Sequence, residues 1–176
     1  MLYIKKANLK DIDEEYTFTT KLPLLESGFR NFFYGIPKEE FESKCLNFEI
    51  ELSILPSPVG NNLPMTTYYL WLDDTIIGIF TVIHELNEYQ KERDGHIAYA
   101  ILKEYRGKGY ATKGLKMVIE DAKNYIKEDE IYMHTTKDNP SSLKVMLNNG
   151  AYISNETEID YFTRIKLRWL MSSFFD

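Results

Sequence analysis

Apolar and polar positions recur along this chain with two periods, one suited to strands and one to helices. Leu2 to Lys5 alternates its side chains and predicts an edge strand. Asp11 to Thr20 predicts a helix, with acidic residues in the first turn, where the dipole favours them. Pro37-Lys38-Glu39-Glu40 opens a second helix, with Pro at its first position, that runs to about Ile50. Pro56, Pro58, Gly60, Asn61, Asn62 and Pro64 then predict a loop over residues 53–66. Loops of this length are often functional, so it is expected to rim a substrate site.

Thr67 to Leu72 is rich in β formers, Asp73-Asp74 makes a turn, and Thr75 to His84 returns as the second arm of a hairpin. Gly95 to Leu102 is a third strand. Ala111, Leu115, Val118, Ala122, Tyr125 and Ile126 recur at three- and four-residue steps, which predicts a helix from Ala111 to Ile126. Ile131 to Thr135 is expected to pair in parallel beside Gly95–Leu102, through a right-handed crossover. Asn139 is a helix-cap candidate, Pro140 the first helical residue and Gly150 the stop. Ala151–Ser154 and Thr163–Leu170 finish as strands. The pattern predicts one α+β domain over residues 1–176, with a mixed, mostly antiparallel central sheet flanked by helices on both faces.

With 176 residues, 44% of them hydrophobic, the chain can bury a core without staples. No apolar run approaches the ~20 residues of a membrane span, so no membrane partner is expected. The start, Met1-Leu2-Tyr3-Ile4-Lys5-Lys6, lacks a signal-peptide pattern, and the single cysteine, Cys45, excludes an internal disulfide. A cytoplasmic location is expected from these features. The net charge of −6 argues against nucleic acid as a partner and is compatible with a cationic amine. His84, His96, His134 and Cys45 show no ligand spacing, so no metal is expected.

The stretch with the clearest chemistry is Arg106-Gly107-Lys108-Gly109-Tyr110-Ala111-Thr112. It follows a predicted strand and opens a predicted helix, whose first N–H groups have no intrahelical partner and sit at the positive end of the dipole. Gly107 and Gly109 let a phosphate approach the backbone, and Arg106 and Lys108 add charge. A P-loop would need Gly-x-x-x-x-Gly-Lys-Ser/Thr, which is absent. A dinucleotide fingerprint would need a third glycine at position 112, where Thr stands; Gly114 is two residues late.

Arg106, Gly109 and Ala111 do fill the pattern Arg/Gln-x-x-Gly-x-Gly/Ala, and in this the chain resembles the GNAT N-acetyltransferase superfamily. Tyr99-Ala100-Ile101 upstream, and Asp138-Asn139-Pro140 downstream, stand where that family has its central strand and following helix. The run His84-Glu85-Leu86-Asn87, followed by Gly95-His96-Ile97, is similar to a bacterial subgroup of the superfamily. The resemblance covers roughly residues 66 to 155. It implies the acyl-CoA N-acyltransferase (GNAT) fold and transfer of acetyl from acetyl-CoA to a primary amine by direct attack. The acceptor would be a small-molecule or peptide amine, with a homodimer left open. It places Ala100, Ile101 and Leu102 along the pantetheine arm, residues 106 to 112 around the pyrophosphate, and Asn139 on the arm.

Small Ala98 and Ala100 suit a close approach to the arm, or tight core packing. Asn139 is equally a plain helix cap. The family often places a tyrosine, acting as general acid, seven residues after that asparagine. Here the position is Met146, which cannot donate a proton; water, another of the 13 tyrosines such as Tyr132 or Tyr152, or no acid at all would then serve. For the base, Glu85 at the end of the hairpin strand and His96 at the start of the central strand are the two candidates. Relatives carry the base on side-chain parity matching Gly95 and Ile97, which turns His96 the other way. The alternative to an enzyme is a non-catalytic acyl-CoA binding or sensing domain.

Overall fold

The computed structural model describes residues 1–167. In chain order it runs β1 (Leu2–Lys6), α1 (Ile12–Lys21), β2 (Leu25–Glu26), β3 (Phe29–Arg30), α2 (Lys38–Phe41), α3 (Asn47–Ile54), β4 (Met65–Leu72), β5 (Thr75–Ile83), α4 (Glu88–Glu92), β6 (Ile97–Ile101), α5 (Tyr110–Ala122), β7 (Glu130–Thr136), α6 (Pro140–Leu147), β8 (Tyr152–Glu156) and β9 (Asp160–Lys166). A π-helical stretch, Glu42–Leu46, joins α2 to α3, so the predicted second helix is continuous but irregular. Its early glutamates, prolines and apolar spacing said helix; nothing in them said π.

β1, β4, β5 and β6 form one antiparallel sheet in that order, with β1 at the edge as expected. The β4–β5 hairpin turns at Asp73-Asp74 and carries an irregular register between Leu70 and Trp71. Period-two alternation sends Tyr68, Leu70, Phe80, Val82, Ile97 and Ile101 to one face, where they pack with Leu115, Val118 and Ala122 of α5 and Met146 of α6. Tyr69, Trp71, Ile79, Ala100 and Leu102 point to the other face, under Phe18 and Leu22 of α1 and Phe29 of β3. Because β4 and β5 are buried on both faces, they read as nearly continuous apolar runs. Truncating a ring such as Phe18, 2% exposed, would cost ~3–5 kcal/mol.

β7, β9 and β8 form a separate antiparallel sheet. The expected parallel ladder between the third strand and Ile131–Thr135 is therefore corrected. β6 and β7 are brought together through the α5 crossover, but only one isolated bridge, Gly95 with Met133, joins them. The fifth helix also ends earlier than predicted, at Ala122. Tyr125 and Ile126 kept the periodicity alive because they still pack on the core from a tight turn, where both amides donate to Ala122 O. The last strand is Asp160–Lys166; the predicted tail of it beyond residue 167 and the aromatic end Met171–Asp176 lie outside the described residues.

Candidate active site

After β6 the chain makes a short 3-10 turn, Lys103–Tyr105, and then the glycine loop. Gly107 and Gly109 have φ of +74° and +77°, a conformation that L side chains resist. A Cβ at either would meet nothing within 4 Å, so the backbone angle, not crowding, requires glycine here. Gly109 is the N-cap of α5 and supplies no side chain; the first helical bond is Lys113 N to Gly109 O at 3.2 Å. The amides of Tyr110, Ala111 and Thr112 therefore have no intrahelical acceptor, and the first turn carries no acidic residue to compete. The loop is exposed. It is a site for an anion built from backbone donors, with Arg106 beside it. Lys108 lies back on the preceding turn, where its Nζ donates to Glu104 O at 3.0 Å.

Beside this loop β6 and β7 part. They are clamped at one end: His96 N donates to Tyr132 O at 2.6 Å, and Tyr132 N donates back to His96 Nδ1 at 2.9 Å. Gly95 makes the approach possible, since a Cβ there would stand 2.3 Å from Tyr132 O. Beyond this point no ladder links the two strands, and the open edge that this leaves along β6, called the slit below, has no strand partner among the described residues. Ala98 is exposed in mid-strand, whereas Ala100, Ile101 and Leu102 are buried. The Ile101 carbonyl accepts Arg106 Nε at 2.8 Å. Tyr99 reaches from β6 to α6, sharing a hydrogen bond with Ser142 Oγ at 2.9 Å. Burial pushes its hydroxyl up to about 12.

Asn139 stands at the other lip. Its Oδ1 accepts Ser142 N at 3.2 Å, the expected cap, while Nδ2 donates to Ser27 O at 3.1 Å. Across the slit, Arg106 Nη2 pairs with Glu26 Oε1 at 3.0 Å. Sequence reasoning assigned nothing to Glu26 or Ser27. The one available signal was the Ser27-Gly28 dipeptide, a turn marker.

The two base candidates fare differently. The His96 side chain is fully buried; Nδ1 accepts an amide, so Nε2 carries the proton and donates to Glu128 Oε2 at 3.0 Å. Burial holds the ring's pKa below the ordinary histidine value, although Glu128 opposes this. With both nitrogens engaged, His96 ties the start of β6 to β7 and presents no free nitrogen to a substrate. Glu85 is half-buried and lines a cavity of about 360 Å³ with His84, Tyr125, Lys127 and, from the loop, Pro56 and Pro64. That cavity lies at the far end of α5 from the glycine loop; 13 residues make about 20 Å. Burial lowers the pKa of His84, in the same wall, to about 4.

Met146 is 1% exposed, and its sulfur accepts from Thr163 Oγ1 at 3.3 Å, so it is core. Tyr152 is exposed and donates to Glu130, and Tyr132 lies under the Arg164 guanidinium; both belong to the β7–β9–β8 sheet. Two buried carboxyls escaped the sequence reading. Glu49 of α3 accepts from Tyr69 OH at 3.4 Å, and burial lifts its pKa to about 7. Glu15 of α1 is held by the Asn8 amide at 3.1 Å, and burial lifts it to about 9. Among the described residues no group of three or more His, Cys, Asp or Glu side chains could hold a metal, and no helix is long and apolar enough to cross a membrane.

Residues 29–152 match the family model described as an acetyltransferase (GNAT) domain. No curated protein matches the chain. Among solved structures, an acetyltransferase of the GNAT family from Streptococcus pneumoniae superposes with a TM-score of 0.61 at 20% identity, covering 93% of this chain and 97% of that one. The Campylobacter jejuni N-acetyltransferase PseH in complex with acetyl coenzyme A gives 0.57 at 15% identity, covering 94% and 99%. The spermidine N-acetyltransferase from Vibrio cholerae in complex with CoA and spermine gives 0.59 at 13% identity, covering 94% and 95%. At such identities these likenesses show the fold.

Proposed function

The chain belongs to the GNAT acetyltransferase family, whose chemistry is acetyl-coenzyme A-dependent acyl transfer, and we propose that it acetylates a primary amine of a small molecule or peptide by direct attack. The observation that carries this reading is the uncapped start of α5 beside an unladdered stretch of β6. The first is a backbone site for a pyrophosphate, and the second is room for an arm next to it. Bound acetyl-coenzyme A would supply an activated acetyl group on a thioester.

The chain's own residues have three tasks in such a reaction. The amides after Gly109, with Arg106 beside them, hold the phosphates. Ala100, Ile101, Leu102 and Asn139 line the arm and set its depth. A carboxylate must take the proton that the amine sheds as the C–N bond forms, and Glu85 is our candidate, acting through water from its cavity. His96, with both nitrogens engaged, holds β6 on β7 and keeps the closed end of the slit in register. No residue is assigned as acid to the thiolate, since Met146 is core. Positioning alone contributes much of the rate in such transfers.

The acid chain, with net charge −6, favours a cationic acceptor such as a polyamine or a basic peptide end. The test is release of free thiol from acetyl-coenzyme A in the presence of a panel of amines. Thiol release that no amine accelerates overturns the transfer reading.

A further inference from the structure

We propose that Glu26 is a positioning residue of the acyl-coenzyme A site, and that the Glu26-Ser27 hairpin tip is a strap beneath which the pantetheine arm passes. This rests on the acetyl-coenzyme A reading above.

The β2–β3 hairpin has two residues per strand and a two-residue turn in which Ser27 and Gly28 have φ of +50° and +90°. Positive φ at both positions is the requirement of a tight type I′ turn. So short a hairpin has no stability of its own. Its base is fixed elsewhere. Phe29 is buried beside Ala100 and Leu102, and Asn31 Nδ2 donates to Thr19 O at 2.9 Å and Leu22 O at 2.8 Å. Those anchors project the tip over the end of β6.

From the tip two contacts diverge. Glu26 takes Arg106, which follows β6, and Ser27 O takes Asn139, which follows β7. Arg106 is itself turned onto the strand edge by its bond to Ile101 O, so Glu26 fixes the guanidinium against β6 rather than leaving it in solvent. The pair is partly shielded, with Glu26 21% and Arg106 37% exposed. The Arg106 guanidinium holds the Glu26 carboxyl below the usual carboxylate range.

Together the contacts close a ring: β6, Arg106, Glu26, Ser27, Asn139, β7, and at the far end His96 with Tyr132. An arm lying in the slit is encircled. The tip bridges both lips, so an arm lying beneath it can leave sideways only when the strap lets go of one of them. Strap opening then sets that route of coenzyme exchange. A fragment without the arm, adenosine 3′,5′-bisphosphate, meets the glycine loop and Arg106 alone, so it reports what Glu26 does through Arg106 and not what the strap does to the arm.

The experiment measures coenzyme A dissociation by stopped flow for the wild type, Glu26→Gln and Glu26→Asp, with bisphosphate affinity in parallel. Breaking a partly buried charge pair acts on the off-rate, so Glu26→Gln is expected to speed release roughly tenfold. It should raise KM for acetyl-coenzyme A with kcat retained, and shift coenzyme A binding more than bisphosphate binding. Glu26→Asp should restore part of the effect. Asn139→Ser keeps a capping hydroxyl and removes the donor to Ser27, so it is the second variant and should also speed release. The strap is overturned by an unchanged or slower off-rate in Glu26→Gln, whatever Asn139→Ser does, or by equal shifts for coenzyme A and the bisphosphate. If the wild type binds neither ligand, the acyl-coenzyme A reading itself falls and takes the strap with it.

Discussion

The Tyr132 amide donates to Nδ1 of His96 at 2.9 Å, and this bond fixes both the tautomer of the ring and the closed end of the slit. With Nε2 donating to Glu128, the imidazole is a neutral link between β6, β7 and the segment before β7. In that state neither ring nitrogen is free to take a substrate proton.

His96→Ala should therefore act on stability first. It leaves a cavity, an unpaired Tyr132 amide and a Glu128 carboxylate without its donor, which together place the loss at ~2–4 kcal/mol. Denaturant unfolding measures it. Among molecules still folded, the acidic limb of the pH–rate profile should stay. Loss of that limb, with stability retained, would return His96 to the role of base.

Gly109→Val tests the glycine loop. The position has φ of +77°, and a β-branched residue there is strained. Relaxation of that strain would turn the amides of Tyr110 to Thr112 away from a common anion. Coenzyme A binding should weaken by at least ~1.4 kcal/mol, a factor of about ten, by calorimetry on the folded variant. Unchanged affinity would remove the phosphate-site reading.

Ligand identity is tested by melting. At a hundred times its Kd, acetyl-coenzyme A should stabilise the native chain by about 2.7 kcal/mol. NAD and ATP at equal concentration should do less, because the loop lacks the third glycine of one fingerprint and the Gly-Lys-Ser/Thr of the other. A larger shift with NAD would reverse the choice.

Glu49 gives the pH dependence its sign. Its folded pKa, about 7, lies above the ordinary carboxyl value of 4.5, so the folded state holds a proton that the unfolded state releases. That contribution is complete below pH ~4.5 and is lost as pH rises toward ~7, by up to ~3 kcal/mol. His84, lowered to about 4, and His96 act in the opposite sense over part of this range. The readout is therefore the difference between wild type and Glu49→Gln. The wild type should lose stability relative to the variant between pH 5 and 7; a flat difference curve would mean that Glu49 is ionised in the fold.

The second half of the chain was legible because its signals are local. The glycine loop, the Asn139-Pro140 cap and the α5 stripe each sit within a few residues of the feature they specify. The splay of β6 from β7 was implied by the family resemblance alone, since a period-two apolar run looks the same whether or not its edge is laddered. Glu26 and Ser27 meet their partners 80 and 112 residues away, and no spacing rule reaches that far. Glu49 and Glu15 failed to register for a related reason. A carboxylate on a helix is read as solvated, and only packing of α1 and α3 onto β4 puts these two out of water.

Glu85 is the assignment on which the chemistry turns. Two features of the chain converge on it: the cavity it lines is walled by Pro56 and Pro64 of the loop expected to rim a substrate, and it stands just past the end of β5, the strand that pairs with β6. In the proposed reaction, a carboxylate there would attract a cationic amine and take up its proton through water. Glu85→Gln keeps shape and removes the base. The expected result is a fall in kcat/KM of about 10²-fold, the low end of general-base effects, with coenzyme A affinity intact. The distance along α5 makes the competing outcome concrete. If the acetyl group is presented near Ala98, the proton acceptor has to lie on that side of the sheet, and Glu85→Gln will leave kcat/KM within about twofold of wild type. In that event Glu85 is a wall residue, and Glu49, behind Tyr69 on the α1 face, is the next carboxyl to replace.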